Sequence, residues 1–159
     1  MFVTNHVLSG VLIGQAMKRR PVAAFFAGVG SHLALDAMPH WGCDFHAPDG
    51  PDRFLRIAKR DGLLGLAAMA AAAMAVDRDA RVATVAAMAG AALLDLDKPI
   101  EHFFGVRAFP GPVIRIHKAV QNESVDGMPK ELGYGIGLAT ADVVAISLAR
   151  KRLRTRPPA

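Results

Sequence analysis

DGLLGLAAMAAAAMAV, residues 61–76, decides the fold class. Alanine, the best helix former and a poor strand former, is its commonest residue, and the apolar run is far longer than one strand. It predicts a helix from about Asp61 to Val76. The same reading extends outward in both directions. Residues 7–17 (VLSGVLIGQAM) predict a helix with Thr4 or Asn5 as its N-cap, closed by Lys18, Arg19 and Arg20. Pro21 suits the first turn of a second helix that fades near Asp36, because Pro39 cannot donate a hydrogen bond and disfavours helix at Met38. A fourth helix is expected over about 81–94, ended by Pro99, and a last one over about 133–150.

Between these runs, residues 41–52 read as a loop from their Gly, Pro and Asp content, and 53–60 as a short basic turn of helix. Residues 98–132 read as irregular, with one short helix between Pro112 and Asn122. With 52% hydrophobic residues and only 6% aromatic, the composition excludes a disordered chain and disfavours a β-sandwich. The expectation is an all-α, up-and-down bundle of about five apolar helices with an irregular insertion before the last helix. Residues 1–150 form a single domain in this reading, and 151–159 form a frayed basic tail.

The single cysteine, Cys43, leaves no internal disulfide framework and no multi-cysteine zinc site, so any metal must be held by histidine and carboxylate. The first basic cluster follows the first apolar run instead of preceding it, which argues against a cleaved signal peptide. The apolar segments fall short of the roughly 20 residues of a bilayer crossing. Several carry Ser31, His32, Thr84 or Asp142. Membrane association is favoured, with a soluble bundle of helices apolar on nearly every side as the alternative.

Alternating helix direction gathers His6, the group His32, Asp36 and His40, then Asp61, then Asp95 and Asp97, at one end. The segment bearing His102 and His117 starts there too. The opposite end receives Lys18, Arg19, Arg20, Arg78, Arg81 and the C-terminal Arg150, Lys151, Arg152, Arg154 and Arg156, against Asp77 and Asp79 alone. One pole reads as a polar site and the other as a cytoplasmic or anionic-lipid-facing end.

Within SHLALDAMPH, His32 and Asp36 are four apart, so both project from one helix face, about 6 Å apart along the axis. That spacing lets an imidazole and a carboxylate share a cation. His40 continues the stripe only if the turn at Pro39 swings it inward. In DLDKP only one aspartate can face the cluster, and Asp95 is preferred over Asp97. Asp61 has an alternative as a cap or dipole partner of the third helix. His117, with Gln121 one turn on, reads equally as site or surface. His46, His102 and Cys43 read as structural or exposed, and Asp142 as paired with nearby backbone or an arginine.

The stretches NHVLSGVLIGQ, SHLALDAMPHW and ALLDLDKP resemble the YdjM-like group of inner-membrane-associated, metal-dependent hydrolases. The histidine–aspartate pattern is more distantly similar to that of the all-α zinc-dependent phospholipase C and single-strand nuclease enzymes. These stretches cover about a quarter of the chain. The resemblance implies metal ligation by His6, His32, Asp36, Asp61 and Asp95, with His117 as a further ligand. It departs from the pattern at Lys98, where relatives commonly carry histidine, and at Leu94, where they carry proline.

The leading expectation is therefore hydrolysis of a phosphate ester, on a lipid headgroup or another phosphodiester, at a bacterial-type inner membrane. The metal is expected to be zinc, with Mn or Fe(II) as alternatives for an N and O donor set. Asp36 or Asp61 would accept the proton of the attacking water, and Lys98, Arg115 or Lys118 would neutralise phosphate charge. His40 and Asp97 are additional candidates. The rival is a non-catalytic membrane or partner-binding protein with a structural metal. A nucleic-acid partner is disfavoured, because KRLRTR has no interleaved aromatics and no known reading motif.

Overall fold

The computed structural model describes residues 1–44 and 46–155. It is all-α: α1 (Val3–Ala16), α2 (Pro21–Asp36), α3 (Gly50–Ala75), α4 (Arg78–Ala92), α5 (Asp97–Phe104), α6 (Gly111–Val120) and α7 (Met128–Arg154). A short 3₁₀ turn, Leu93–Leu96, joins α4 to α5. Two residues each of β1 (His40–Trp41) and β2 (Glu123–Ser124) pair in parallel, His40 opposite Glu123 and Trp41 opposite Ser124.

Contacts along the helices set their directions. Gly10 lies against Met88 and Gly14 against Thr84, so α1 and α4 are antiparallel. Ala24 packs with Ala83 and Ala87, and Gly28 against Ala87 and Ala91, so α2 runs parallel to α4. Thr4 bonds to Asp61, while Val11 shares a cluster with Ala72 and Val76, so α3 runs with α1. Asn5 meets Glu131 and Arg150 reaches the Ala75 carbonyl, so α7 does too.

Small side chains explain how closely these helices approach. A Cβ on Gly14 would collide with the Thr84 backbone, and one on Gly28 with the Ala87 carbonyl. Backbones this close gain dispersion contacts without large side chains, which is how an alanine-rich bundle holds together. The buried core is accordingly thin: Val7, Val11, Ala72, Val76 and Met88 in one cluster, Ala24, Ala83 and Ala87 in another. Many large apolar side chains instead face outward, among them Leu63, Leu66, Met74, Ile136 and Val143. One helix, over Met128–Arg152, is long and apolar enough to cross a membrane.

Several expected boundaries move. α1 starts at Val3 with Phe2 as N-cap, so Thr4 and Asn5 lie inside it and turn their side chains to neighbouring helices. The basic turn over 53–60 and the helix from Asp61 are one helix, because Pro51 falls in its first turn, where a missing N–H costs nothing. Pro99 likewise sits in the first turn of α5, so the insertion is more helical than expected. Gly105, at φ +67, stops α5 with a left-handed residue. The expected tail continues α7 as far as Arg154, with the rest of it from residue 156 outside the described residues.

Candidate metal centre

The last turn of α2, the first turns of α1, the end of α4 with its 3₁₀ turn, and α6 converge on the Asp36 side chain. Three imidazoles surround its carboxylate. His6 Nε2 lies 3.2 Å from Oδ1, while His32 Nε2 and His117 Nε2 lie 3.2 and 3.0 Å from Oδ2. The α-ammonium of Met1 is 2.8 Å from Oδ1. Asp95 comes from the 3₁₀ turn, with Oδ2 3.8 Å from His6 Nε2. His6, His32 and Asp36 are fully buried.

His32 is oriented from behind. Its Nδ1 is 2.6 Å from the Ala91 carbonyl oxygen, which can only accept, so Nδ1 carries the proton. In the neutral ring Nε2 is then a bare lone pair directed into the cluster. His117 Nε2 stands 2.9 Å from it, and also 3.3 Å from Gln121 Nε2. One ring nitrogen offers a single hydrogen or a single lone pair, so it cannot satisfy all these neighbours. The rings of His6 and His32 stack at 3.9 Å, and among the described residues neither ring nitrogen of His6 has a hydrogen-bond partner. Asp95 Oδ2 is likewise buried without one. Each such orphan costs about 1–3 kcal/mol unless something pairs it.

The charges pull against one another. Burial pushes the Asp36 carboxyl up, yet the imidazoles of His117, His32 and His6 and the adjacent ammonium hold it well below the usual carboxylate range. Burial pulls His6 below its ordinary value, with Asp36 only partly offsetting it. For His32 burial acts the same way, but Asp36 and Asp95 outweigh it and the net shift is upward.

Two donor sets have their ligand atoms within 4.8 Å of one another: His6, His32 and Asp36, and His32, Asp95 and His117. Imidazole nitrogens and carboxylate oxygens without thiolate form a donor set for Zn²⁺, Mn²⁺ or Fe²⁺. His6 Nε2 and Asp95 Oδ2, both orphaned, stand 3.8 Å apart beside Asp36, so these residues fit a divalent cation. The carbonyl behind His32 is the outer-shell partner that metal-binding histidines usually carry.

The other expected residues lie elsewhere. Asp61 caps α1: its carboxylate accepts hydrogen bonds from Val3 N (2.7 Å), Thr4 N (3.2 Å) and Thr4 Oγ1 (2.6 Å). Because α3 begins at Gly50, Asp61 is mid-helix and serves a neighbouring helix instead of its own. Asp97 Oδ1 accepts from Ala108 N, bracing the chain after α5. Lys98 Nζ sits 5.8 Å above the Phe54 ring. Arg115 and Lys118 are exposed on α6, whose buried face carries His117.

His40 is fully buried. Its Nδ1–H bonds to the Met38 carbonyl, and its Nε2 is 3.9 Å from Glu123 Oε1, outside both donor sets. His102 and His46 are exposed, and the Cys43 thiol donates to the Gly50 carbonyl. Asp142 is buried in α7 with no hydrogen-bond partner for either oxygen among the described residues, contrary to the expected backbone or arginine contact.

Glu131 is the residue that sequence reasoning missed. Fully buried, it accepts from Phe2 N (2.7 Å), Asn5 Nδ2 (2.7 Å) and Trp41 N (3.1 Å), tying α1, β1 and α7 together beneath the cluster. The signal was Met128-Pro-Lys-Glu, a helix start with Pro and an acid in the first turn. The Asn122 N–H bond to the Asp36 carbonyl (2.9 Å) then fixes the α6–β2 connection against the end of α2. In comparisons with family models, curated proteins and solved structures, none matches this chain.

Proposed function

We propose that the protein is a membrane-associated, metal-dependent hydrolase of phosphate esters, with His6, His32, Asp36, Asp95 and His117 as its metal-holding residues. The observation that carries this reading is the His32 lone pair. With Nδ1 committed to the Ala91 carbonyl, Nε2 faces His117 Nε2 and the Asp36 carboxylate as one more acceptor. A cation resolves that crowding of acceptors, and a proton resolves only part of it.

A divalent ion held here would lower the pKa of a water and polarise a phosphoryl oxygen. The chain supplies the rest. Asp36 provides the negative charge that retains the cation, and the Ala91 carbonyl fixes the orientation of the His32 ring. Asp95, less enclosed than Asp36, would take the proton of the attacking water through the carboxylate oxygen that it does not turn to His6. Asp61, whose carboxylate accepts three hydrogen bonds from α1, is not given that role in this reading. α7 would cross the bilayer, with the basic turn after α1, the basic start of α4 and the basic end of α7 on its anionic, cytoplasmic side.

Metal-loaded protein in detergent should hydrolyse bis(p-nitrophenyl) phosphate, and chelator or His32→Ala should abolish turnover. Turnover indifferent to both, or none with any metal tested, contradicts the reading. One observation favours a purely structural metal: His6, His32 and Asp36 are completely enclosed. In that case the metal would bind and His32→Ala would lose it, with no hydrolysis of any phosphate ester.

A further inference from the structure

A second feature lies beside the cluster. A groove of about 490 Å³ runs between α1, α3 and α7. Phe2, Leu8, Leu64, Ile136 and Ala139 line it, and Arg60 stands at the end near the cluster pole. Leu64 and Ile136 are 62% and 70% exposed, so the groove is open along its side. One wall, α7, is the helix long and apolar enough to cross a membrane.

Lining and charge decide between occupants. The groove follows α7 from Met128 to Ala139, about 16 Å of helix, and most of the side chains along it are apolar, which suits the hydrocarbon of an acyl chain. Its polar groups do not invite a peptide. The Asp61 and Glu131 carboxylates that border it are occupied by hydrogen bonds from α1, leaving few free groups for a backbone to pair with. Arg60, exposed and making no ion pair among the described residues, is left to meet an anion.

We infer that this groove binds one acyl chain of an anionic phospholipid drawn from the surrounding bilayer, with the headgroup at Arg60. The chain lies along α7, where a lipid can enter sideways. Taking that lipid as the substrate rests on the hydrolase reading; the binding itself does not.

The test uses full-length, metal-free protein in detergent and a phosphatidylglycerol carrying a fluorophore on its acyl chain, followed by anisotropy. Unlabelled phosphatidylglycerol should compete better than phosphatidylcholine. Ala139→Phe, which fills the groove, should weaken binding about tenfold, the equivalent of two displaced methylenes. Arg60→Glu should remove the preference for the anionic lipid while leaving chain binding in place. Wild-type far-ultraviolet circular dichroism and thermal unfolding in both variants show that they fold.

Wild-type binding in both variants would overturn the inference, as would competition by chain-free glycerophosphate equal to that by the whole lipid. A dimer that excludes the probe would also overturn it and would assign the groove to a second copy. Groove-dependent binding without metal-dependent turnover supports the lipid site while removing the hydrolase reading.

Discussion

The two ends of this bundle handle charge in opposite ways. At one, His6, His32, His117 and Asp36 turn inward and pack against each other, with ring stacking and nitrogen–oxygen separations near 3 Å. At the other, Arg19 and Asp79 pair 2.6 Å apart but in solvent, with side chains 78% and 62% exposed. The exposed pair keeps its hydration and gains little from contact. The buried cluster has given up water, so its stability depends on what sits among its donors and acceptors.

Asp36→Asn should break that contrast most severely. Removing the one carboxylate that every imidazole of the cluster faces should abolish metal binding and cost about 3–5 kcal/mol in thermal denaturation. Next in size is Gly14→Leu, which forces α1 off the Thr84 backbone. A loss of about 2–3 kcal/mol is expected, with metal stoichiometry intact in the folded fraction.

Asp61→Ala separates structural from ligand carboxylates at the same pole. It should cost about 1–2 kcal/mol through loss of the α1 cap and leave zinc affinity unchanged. Affinity lost along with stability would return Asp61 to the metal set. Arg19→Ala, at the opposite end, should change stability by no more than about 0.5 kcal/mol.

Helix direction made much of this arrangement readable in advance. Apolar runs closed by charged turns set the up-and-down order, and that order alone sends the His6, His32 and Asp95 segments to one end. The i, i+4 spacing of His32 and Asp36 puts an imidazole and a carboxylate on one face, and the two side chains do meet there. The start of α2 at Pro21 is as expected, whereas α1, α3 and α7 begin earlier than their apolar runs suggest. Gly50-Pro51 looked like a loop but opens α3, which moved Asp61 from a helix tip to mid-helix and gave its carboxylate to α1. Glu131 went unnoticed because α7 starts earlier than its apolar run does.

His40 shows a different limit. Its burial depends on a two-residue strand pairing with Glu123 and Ser124, a long-range contact with no periodic trace in the sequence. The same is true of the Ala91 carbonyl behind His32: a backbone acceptor has no residue signature.

Calorimetric titration of chelator-stripped protein with Zn²⁺ tests the central claim most directly. Tight binding is expected at about pH 7.5, weakened at least about 100-fold in His32→Ala and His117→Ala and unchanged in Arg19→Ala. The His32 pKa is raised above 6.5, so the ring is protonated below that raised value and zinc must displace the proton. Affinity should therefore fall as pH drops, by about tenfold per unit once below it. Absence of zinc binding at every pH, or equal affinity in His32→Ala, would contradict the account.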